Sequence, residues 1–504
     1  MGDDQPQVAV ATAEEELLTL SETIEFLGIS KQTLYRMMER GEVKGVRVGR
    51  QWRFRKADLA TYLERGPVGM TMAAAPVDLL DGELDFFAQR LGAPVNGNGE
   101  DLPPGERKIG QLINAIILLA IGSRSSDIHL EPARLDEEQV LLLRYRVDGV
   151  MHEVRRLPIS IHAGLIARLK TMCDLNVEER RIPQDGRIHL RHEGREYDIR
   201  FNTNPTIFGE GIVMRILDQH SVLLGLEKLG LLPDDLARLR TWLKRPTGVI
   251  YCVGSTGSGK TTTIYSCLLE IAKPETKTLS IEDPVEIMLP WVTQSAVIRK
   301  SGYTFPVALR GFMRQDPDVV FVGEIRDLET AEIITQAALT GHLVFTTLHP
   351  VDAPSTPQRL MDMGIAPFLI GASTEGIISQ RLVRKLCPHC KQPAEVTPHV
   401  MKYVRQLARA GGYTLPEDAV FSRAVGCEQC FGRGYLGRTA LFELLEFTPE
   451  VKDAFLRGAT PKELMAAMVM DGMTTLIADG IQKAALGITS IEEVLRVAQG
   501  MAGG

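Results

Sequence analysis

The residues Gly254, Ser255, Thr256, Gly257, Ser258, Gly259, Lys260 and Thr261 have the types and spacing of a phosphate cradle, with Thr262 next in line. Glycines let backbone N–H groups turn toward an anion without Cβ clashes. A lysine at position 260 can reach the β- and γ-phosphates, and the Thr261 hydroxyl can ligate Mg²⁺. This chemistry is nucleoside triphosphate binding.

Further carboxylates and histidines follow. Ser280 to Glu286 holds Glu282, Asp283 and Glu286, and Asp316 to Asp327 contains an apolar run that ends in Gly323-Glu324. A carboxylate at the C-terminal end of a strand beside a phosphate loop is placed for Mg²⁺ and for the attacking water. His342 and His349 flank a strand-like run, and spacing alone leaves structural and catalytic roles open for both. Cys387-Pro388-His389-Cys390 and Cys427-Glu428-Gln429-Cys430 form two CxxC knuckles. Four thiolates suit a closed tetrahedral Zn²⁺ site, with His389 outside the ligand set. Cys173, Cys252 and Cys267 sit singly in apolar contexts and read as core residues.

These groups need elements to hold them. The run Gly248–Val253 reads as a strand and Thr262–Leu269 as a helix, so the loop between them lies at a positive helix end. From Leu224 to about Arg384 strand and helix signals alternate, as in a parallel sheet. Residues 107–220 read as a separate α/β domain, with helices at Ile109–Gly122 and Ile161–Cys173 and strands at Val140–Arg146 and Glu196–Asn202. The expected junction lies near Asp218–Leu229. The unit that carries the phosphate loop is expected over 224–504, with the tetracysteine element at 385–432 and a helical C-terminal region at 441–504. Residues 66–106, punctuated by proline and glycine, read as a flexible linker carrying one amphipathic piece, Leu79–Leu91.

At 504 residues the chain has room for three or more domains. Its composition, 44% hydrophobic and 24% charged, is that of a globular protein, and a net charge of −7 gives no global nucleic-acid signature. The longest apolar helix candidate, Leu112–Ile121, is too short to span a bilayer. The acidic start Met1-Gly2-Asp3-Asp4 lacks signal-peptide character. The expectation is a cytoplasmic protein that meets a membrane only through partners.

Taken together, the blocks from about Gly122 onward resemble the type II secretion and type IV pilus assembly ATPase family. Ser123 to Pro132, Arg146-Val147-Asp148-Gly149, Arg180 to Ile188 and Gly209-Glu210 match further signatures of that family. The resemblance implies a RecA-like ATPase core preceded by a PAS-like α/β domain, with ATP, Mg²⁺ and Zn²⁺ as cofactors. It implies that Glu286 positions water, that Glu324 is an atypical Walker B glutamate near Mg²⁺, and that His342 and His349 form a histidine box. It also implies that Arg200 and Arg215 are presented to the nucleotide from the N-terminal domain. Arg187 is a weaker candidate, and Arg310 and Arg314 are weaker still. The tetracysteine element occurs in assembly members and is usually missing from retraction members. A homohexamer at the inner membrane is implied, working with a platform protein and a cytoplasmic docking protein.

Residues 17–65 read as a winged helix-turn-helix. Ser21–Leu27 and Lys31–Arg40, capped by Ser30, form the helix pair, Val46–Phe54 the wing around Gly49, and Arg55–Glu64 a third helix. The unit resembles the excisionase or MerR-like fold. Between Gly28 and Lys56 nine basic residues face two acidic ones. Lys31, Gln32, Arg36 and the Arg50–Arg55 stretch would be the DNA contacts. DNA, a protein partner and a small ligand remain alternatives, and so do a DNA-bound regulator or DNA-transport ATPase and a pilus-retraction ATPase.

Overall fold

The computed structural model describes residues 17–27, 34, 38, 43, 45–48, 51–56, 59, 77–92, 103–218, 223–350 and 352–502. In the first unit β1 (Leu17–Thr19), β2 (Gly45–Val48) and β3 (Gln51–Arg55) form a sheet in the order β1-β3-β2. The helix Leu20–Leu27 starts in a reciprocal cap. Thr19 N–H donates to Glu22 at 2.7 Å and Glu22 N–H donates to Thr19 Oγ1 at 3.3 Å. The wing turns where expected, with Val48 opposite Gln51. Leu34, Val43, Phe54 and Leu59 make its small core. Leu34, Met38, Lys56 and Leu59 are helical, and the rest of the second and third helices, with Ser30, lies outside the described residues.

The expected tether is interrupted by a packed element. The helix Val77–Leu91 buries Leu80 and Phe87 against the helix Pro104–Gly122. Leu80, Leu84, Phe87 and Leu91 recur at helical spacing, so one stripe faces the core. Arg155 of the next domain grips Glu83 with two hydrogen bonds, at 2.9 and 3.2 Å. This segment therefore belongs to the α/β domain rather than to a linker.

That domain is a six-stranded antiparallel sheet. Its strands are β4 (Ser125–Leu135), β5 (Glu138–Val147), β6 (Val150–Pro158), β7 (Gln184–His192), β8 (Arg195–Thr206) and β9 (Gly209–Asp218), in the order β6-β5-β4-β9-β8-β7. The helices Pro104–Gly122 and His162–Met172 cover one face. Strict alternation along β8 turns Tyr197, Ile199 and Phe201 into that core and Asp198, Arg200 and Asn202 to the other face.

The ATPase core is built on a seven-stranded sheet. Its strands are β10 (Gly248–Val253), β11 (Thr278–Glu282), β12 (Val292–Ala296), β13 (Val319–Val322), β14 (Leu343–Leu348), β15 (Thr374–Leu386) and one late strand, Tyr435–Glu446. Two-residue strands β16 (Gln392–Pro393) and β17 (Ser422–Arg423) pair beside the cysteines, which makes the late strand β18. The order is β12-β11-β13-β14-β10-β15-β18, parallel except for the β15–β18 pair. Central strands β10, β13 and β14 are buried throughout, as a sheet covered on both faces requires.

The helical region expected from Leu441 begins later. Leu441–Glu446 completes β18, and helices run from Pro449. Its residues from Thr439 to Leu445, Glu443 among them, are buried whichever side they face, so it shows no period of two. The helices Pro449–Leu456, Pro461–Met470 and Leu476–Ala485 start at Thr448, Thr460 and Thr475, whose side chains accept from backbone N–H groups.

Candidate functional site

The phosphate loop emerges from the C-terminal end of β10 and enters the helix Lys260–Ile271. Gly254, Gly257 and Gly259 all have positive φ, at 146°, 77° and 92°. Ser255, Thr256 and Gly257 are exposed, and Ser258 and Lys260 are buried. Lys260 Nζ donates to the carbonyls of Gly254 at 2.7 Å and Ser255 at 3.2 Å. Burial, with the nearby Arg381 charge, holds the Lys260 pKa below its ordinary value, while Cys252 and Glu324 work the other way. Ser258 Oγ is buried without a hydrogen-bond partner. A left-handed glycine cradle, an orphaned hydroxyl and an ammonium held against carbonyls fit a polyphosphate.

Sequence reasoning missed the residues that brace this loop. Gln380, on β15, donates Nε2 to Ser258 O at 2.6 Å. A Cβ on Gly254 would lie 2.6 Å from Arg381 Nη1 and 2.7 Å from Gln380 O, so β15 closes against the loop. More than a hundred residues separate these partners, and no local pattern marks them.

The carboxylates divide into two kinds. Glu282, at the end of β11, is buried and accepts from Tyr265 Oη at 2.5 Å, Ser280 Oγ at 2.7 Å and Gln294 Nε2 at 3.1 Å. Burial raises its pKa against the pull of those donors. Glu286 is half-buried, its N–H donates to Tyr265 Oη at 3.3 Å, and its Oε2 takes Arg200 Nη2 at 2.6 Å from the other domain. Glu324 follows β13. Its carboxylate meets Arg326 Nη2 at 2.5 Å and His349 Nε2 at 3.5 Å. Burial opposes its charge, but Arg326 and His349 outweigh that and lower its pKa.

The two histidines are not brought together. β14 runs parallel to β10 with Leu348 opposite Val253 and Leu343 opposite Gly248. His349 thus sits at the loop's end of the sheet, and His342 at the other, about 23 Å away at about 3.3 Å per residue. His342 Nδ1 lies 2.8 Å from Ala337 O. Of the expected histidine pair only His349 lies at the phosphate-loop end of the sheet, because the six-residue strand Leu343–Leu348 separates the two.

Arg215 pairs with Asp127 through Nε at 3.0 Å, and Arg187 lies opposite Arg200 in the sheet. Arg310 is ion-paired with Glu329, and Arg314 Nη1 donates to Arg310 O at 2.8 Å; neither is bonded to the phosphate loop. Between the two domains a cleft of about 830 Å³ runs past Gly259, Thr262 and Thr263 to Arg124, Lys228, Arg195 and Arg438. Its size suits a base and ribose beyond the phosphates.

Cys387, Cys390, Cys427 and Cys430 converge, with all four Sγ atoms within 4.8 Å of one another. The 387–427 and 390–430 separations are 3.8 Å and the 427–430 separation is 3.7 Å. A tetrahedron with Zn–S bonds of about 2.3 Å has edges of about 3.8 Å, so the set fits zinc. Backbone N–H groups of Gly426, Cys427 and Gly434 point at sulfur, at 3.1 to 3.3 Å. His389 is exposed. The element is not a loose insert: Val404, Ala408, Leu415 and Phe421 share a core with Ile481, Ala484, Ile491 and Val494 of the C-terminal helices.

Residues 104–496 match the family described as Type II/IV secretion system protein, and residues 17–67 match a helix-turn-helix domain. The type IV pilus assembly ATPase PilB of Myxococcus xanthus is 44% identical over 390 residues, which cover 76% of this chain and 67% of that one. The type II secretion system protein HxcR of Pseudomonas aeruginosa is 41% identical over 443 residues, 88% of each chain. The crystal structure of the pilus retraction motor PilT with bound ADP superposes with a TM-score of 0.51 at 25% identity, covering 76% of this chain and 95% of that one. With a phosphate loop, a strand-end glutamate and a family match over most of its length, the chain is an ATPase and belongs to the type II/IV secretion system protein family.

Proposed function

We propose that this chain is the ATP-hydrolysing motor, acting as a homohexamer, that powers assembly of a type IV pilus or a type II secretion pseudopilus. The observation behind this reading is the Arg200–Glu286 contact at 2.6 Å. A cationic group of the N-terminal domain reaches the acidic segment of the ATPase core, so turnover depends on how the two domains sit. Lys260 and the loop N–H groups bind the β- and γ-phosphates, and Glu286 positions the attacking water once Arg200 turns to the phosphate. Arg200 and Arg215 then offset the charge that develops. Thr261 and Glu324 would hold Mg²⁺, which supplies charge neutralisation across the phosphates when bound. His349, against Glu324, is the residue that couples nucleotide state to the strand end.

The motor would work at the cytoplasmic face of the inner membrane through a platform protein and a cytoplasmic docking protein. No described helix is long and apolar enough to cross a membrane itself. The test is phosphate release by the full-length protein with and without the platform protein. Lys260→Ala and Glu286→Gln should each lose at least about a hundredfold in kcat while remaining folded. Wild-type rates in either variant overturn the assignment.

Two observations favour other readings. The helix-turn-helix match over residues 17–67, with its basic excess, supports DNA binding by that unit, as a regulator or in DNA transport. The likeness to the PilT retraction motor supports pilus retraction, against which stand the four clustered cysteines.

A further inference from the structure

Four arginines and one aspartate form a single row across the six-stranded sheet. Arg187 is opposite Arg200, Arg200 opposite Arg215, Arg215 opposite Asp127, and Asp127 opposite Arg146. Directly opposed residues on neighbouring antiparallel strands project from one face with Cβ atoms about 5 Å apart. Tyr197, Ile199 and Phe201 occupy the core face, so the row lies on the face where Arg200 meets Glu286. Like charges at that spacing repel. Asp127 is the row's one acid, and its side chain is only 8% exposed.

Asp127 holds its neighbours by their inner nitrogens. Oδ1 accepts from Arg215 Nε at 3.0 Å. Oδ2 accepts from Ser126 Oγ at 2.8 Å and lies 3.6 Å from Arg146 Nε. Arg215 is 61% exposed, and its Nη1 and Nη2 make no hydrogen bond to a described residue. A guanidinium gripped at Nε presents its outer edge as a fork, the geometry that phosphate oxygens accept. Arg200 is held the other way: it gives Nη2 to Glu286 while its Nε is buried without a partner.

We infer that Asp127 is a positioning residue for the phosphoryl-transfer site: it fixes Arg215 by Nε so that both terminal nitrogens are aimed at the phosphates. The inference rests on the proposed role of Arg215 at the nucleotide and adds the group that sets its orientation. Asp127 itself touches no phosphate.

The test is a double-mutant cycle in the full-length protein with Asp127→Asn, Arg215→Ala and both together. Three quantities are read: equilibrium binding of ADP–aluminium fluoride with Mg²⁺ as a transition-state mimic, kcat and KM for ATP, and the thermal midpoint. Each single variant should weaken ADP–aluminium fluoride and lower kcat by about tenfold, with KM within about twofold. The double variant should be no worse than Arg215→Ala alone, and midpoints should agree within a few degrees. Wild-type values in Asp127→Asn beside an impaired Arg215→Ala overturn the inference and leave the role of Arg215 standing. Additive losses, about a hundredfold in the double, overturn it too. Wild-type values in Arg215→Ala remove the role of Arg215 and the inference with it. Should Asp127→Asn fail to fold, Asp127→Glu decides, because its longer arm displaces the Nε anchor. A loss in kcat at constant KM supports the inference, and wild-type kcat overturns it.

Discussion

Burial separates Glu282 from Glu286, although only three residues lie between them. Glu282 and Glu286 belong to one acidic segment, yet Glu282 is enclosed by three donors and Glu286 faces the other domain. Glu443 shows the same logic away from the phosphate loop. It is buried on β18, and burial pushes its carboxyl up to about 7, although Ala353 and Leu476 donate N–H groups to it at 2.9 and 3.2 Å. The ordinary glutamate value is about 4.3, so the folded chain keeps a proton that the unfolded chain has released. That contribution to stability is complete below about pH 4, falls as pH rises toward 7 and stays lost above it. Urea unfolding at pH 5 and pH 8 should therefore show a larger fall for the wild type than for Glu443→Gln, by an amount on the order of 3 kcal/mol. Equal falls in the two proteins refute it. None of this was legible in the sequence, where Glu443 stands in an apolar run with no partner nearby. The phosphate loop was legible because its glycines and lysine are contiguous. Gln380 and Arg381 were not, because their contact with the loop is made by strand order.

At the scale of elements, regular patterns were readable and their neighbours were not. The strands β5 and β8 and the helix Lys260–Ile271 lie where periodicity puts them. The helix Val77–Leu91 was readable as amphipathic, but the helix Pro104–Gly122 and the Arg155 side chain that cover it are brought there by the fold of the α/β domain. The cysteine element adds a consequence for metal removal. Its first knuckle is a turn and its second a single 3-10 turn, Glu428–Cys430, whereas the helix Pro398–Ala410 packs on the C-terminal helices. Cys387→Ser should abolish stoichiometric zinc in elemental analysis and lower the thermal midpoint by several degrees. Limited proteolysis should then cut near Cys390 or Cys427 before it cuts the Pro398–Ala410 helix. Retention of zinc, or first cleavage inside that helix, contradicts this picture. Zinc loss should also reach the N-terminal domain, because Gly437 N–H and Arg438, just past the second knuckle, contact Asp148 at 3.2 and 3.8 Å.

For the whole molecule the question is what the domains say to one another. The α/β domain and the ATPase core each close their own hydrophobic clusters. Between them run polar contacts: Arg200 to Glu286, and Asp148 to Gly437 and Arg438. Such contacts break and re-form at small cost, which suits lobes that move with nucleotide state. The first unit closes its own small core, and the proposed DNA binding by its basic sequence is a reading distinct from the motor reading of the ATPase core. The two readings can be told apart by what each partner does to turnover. If the chain works as an assembly motor, the cytoplasmic part of its platform protein should raise kcat severalfold by favouring the closed arrangement of the lobes. Duplex DNA should leave kcat within about twofold, even where it binds residues 17–65 with affinity falling about 0.9 log units per phosphate per log unit of salt. The measurement is steady-state phosphate release by the full-length protein, titrated with each partner at low and physiological salt. Stimulation by DNA with indifference to the platform protein would transfer the role to nucleic-acid work. The reason is linkage: a partner drives the cleft only by as much as it binds the closed lobes better than the open ones.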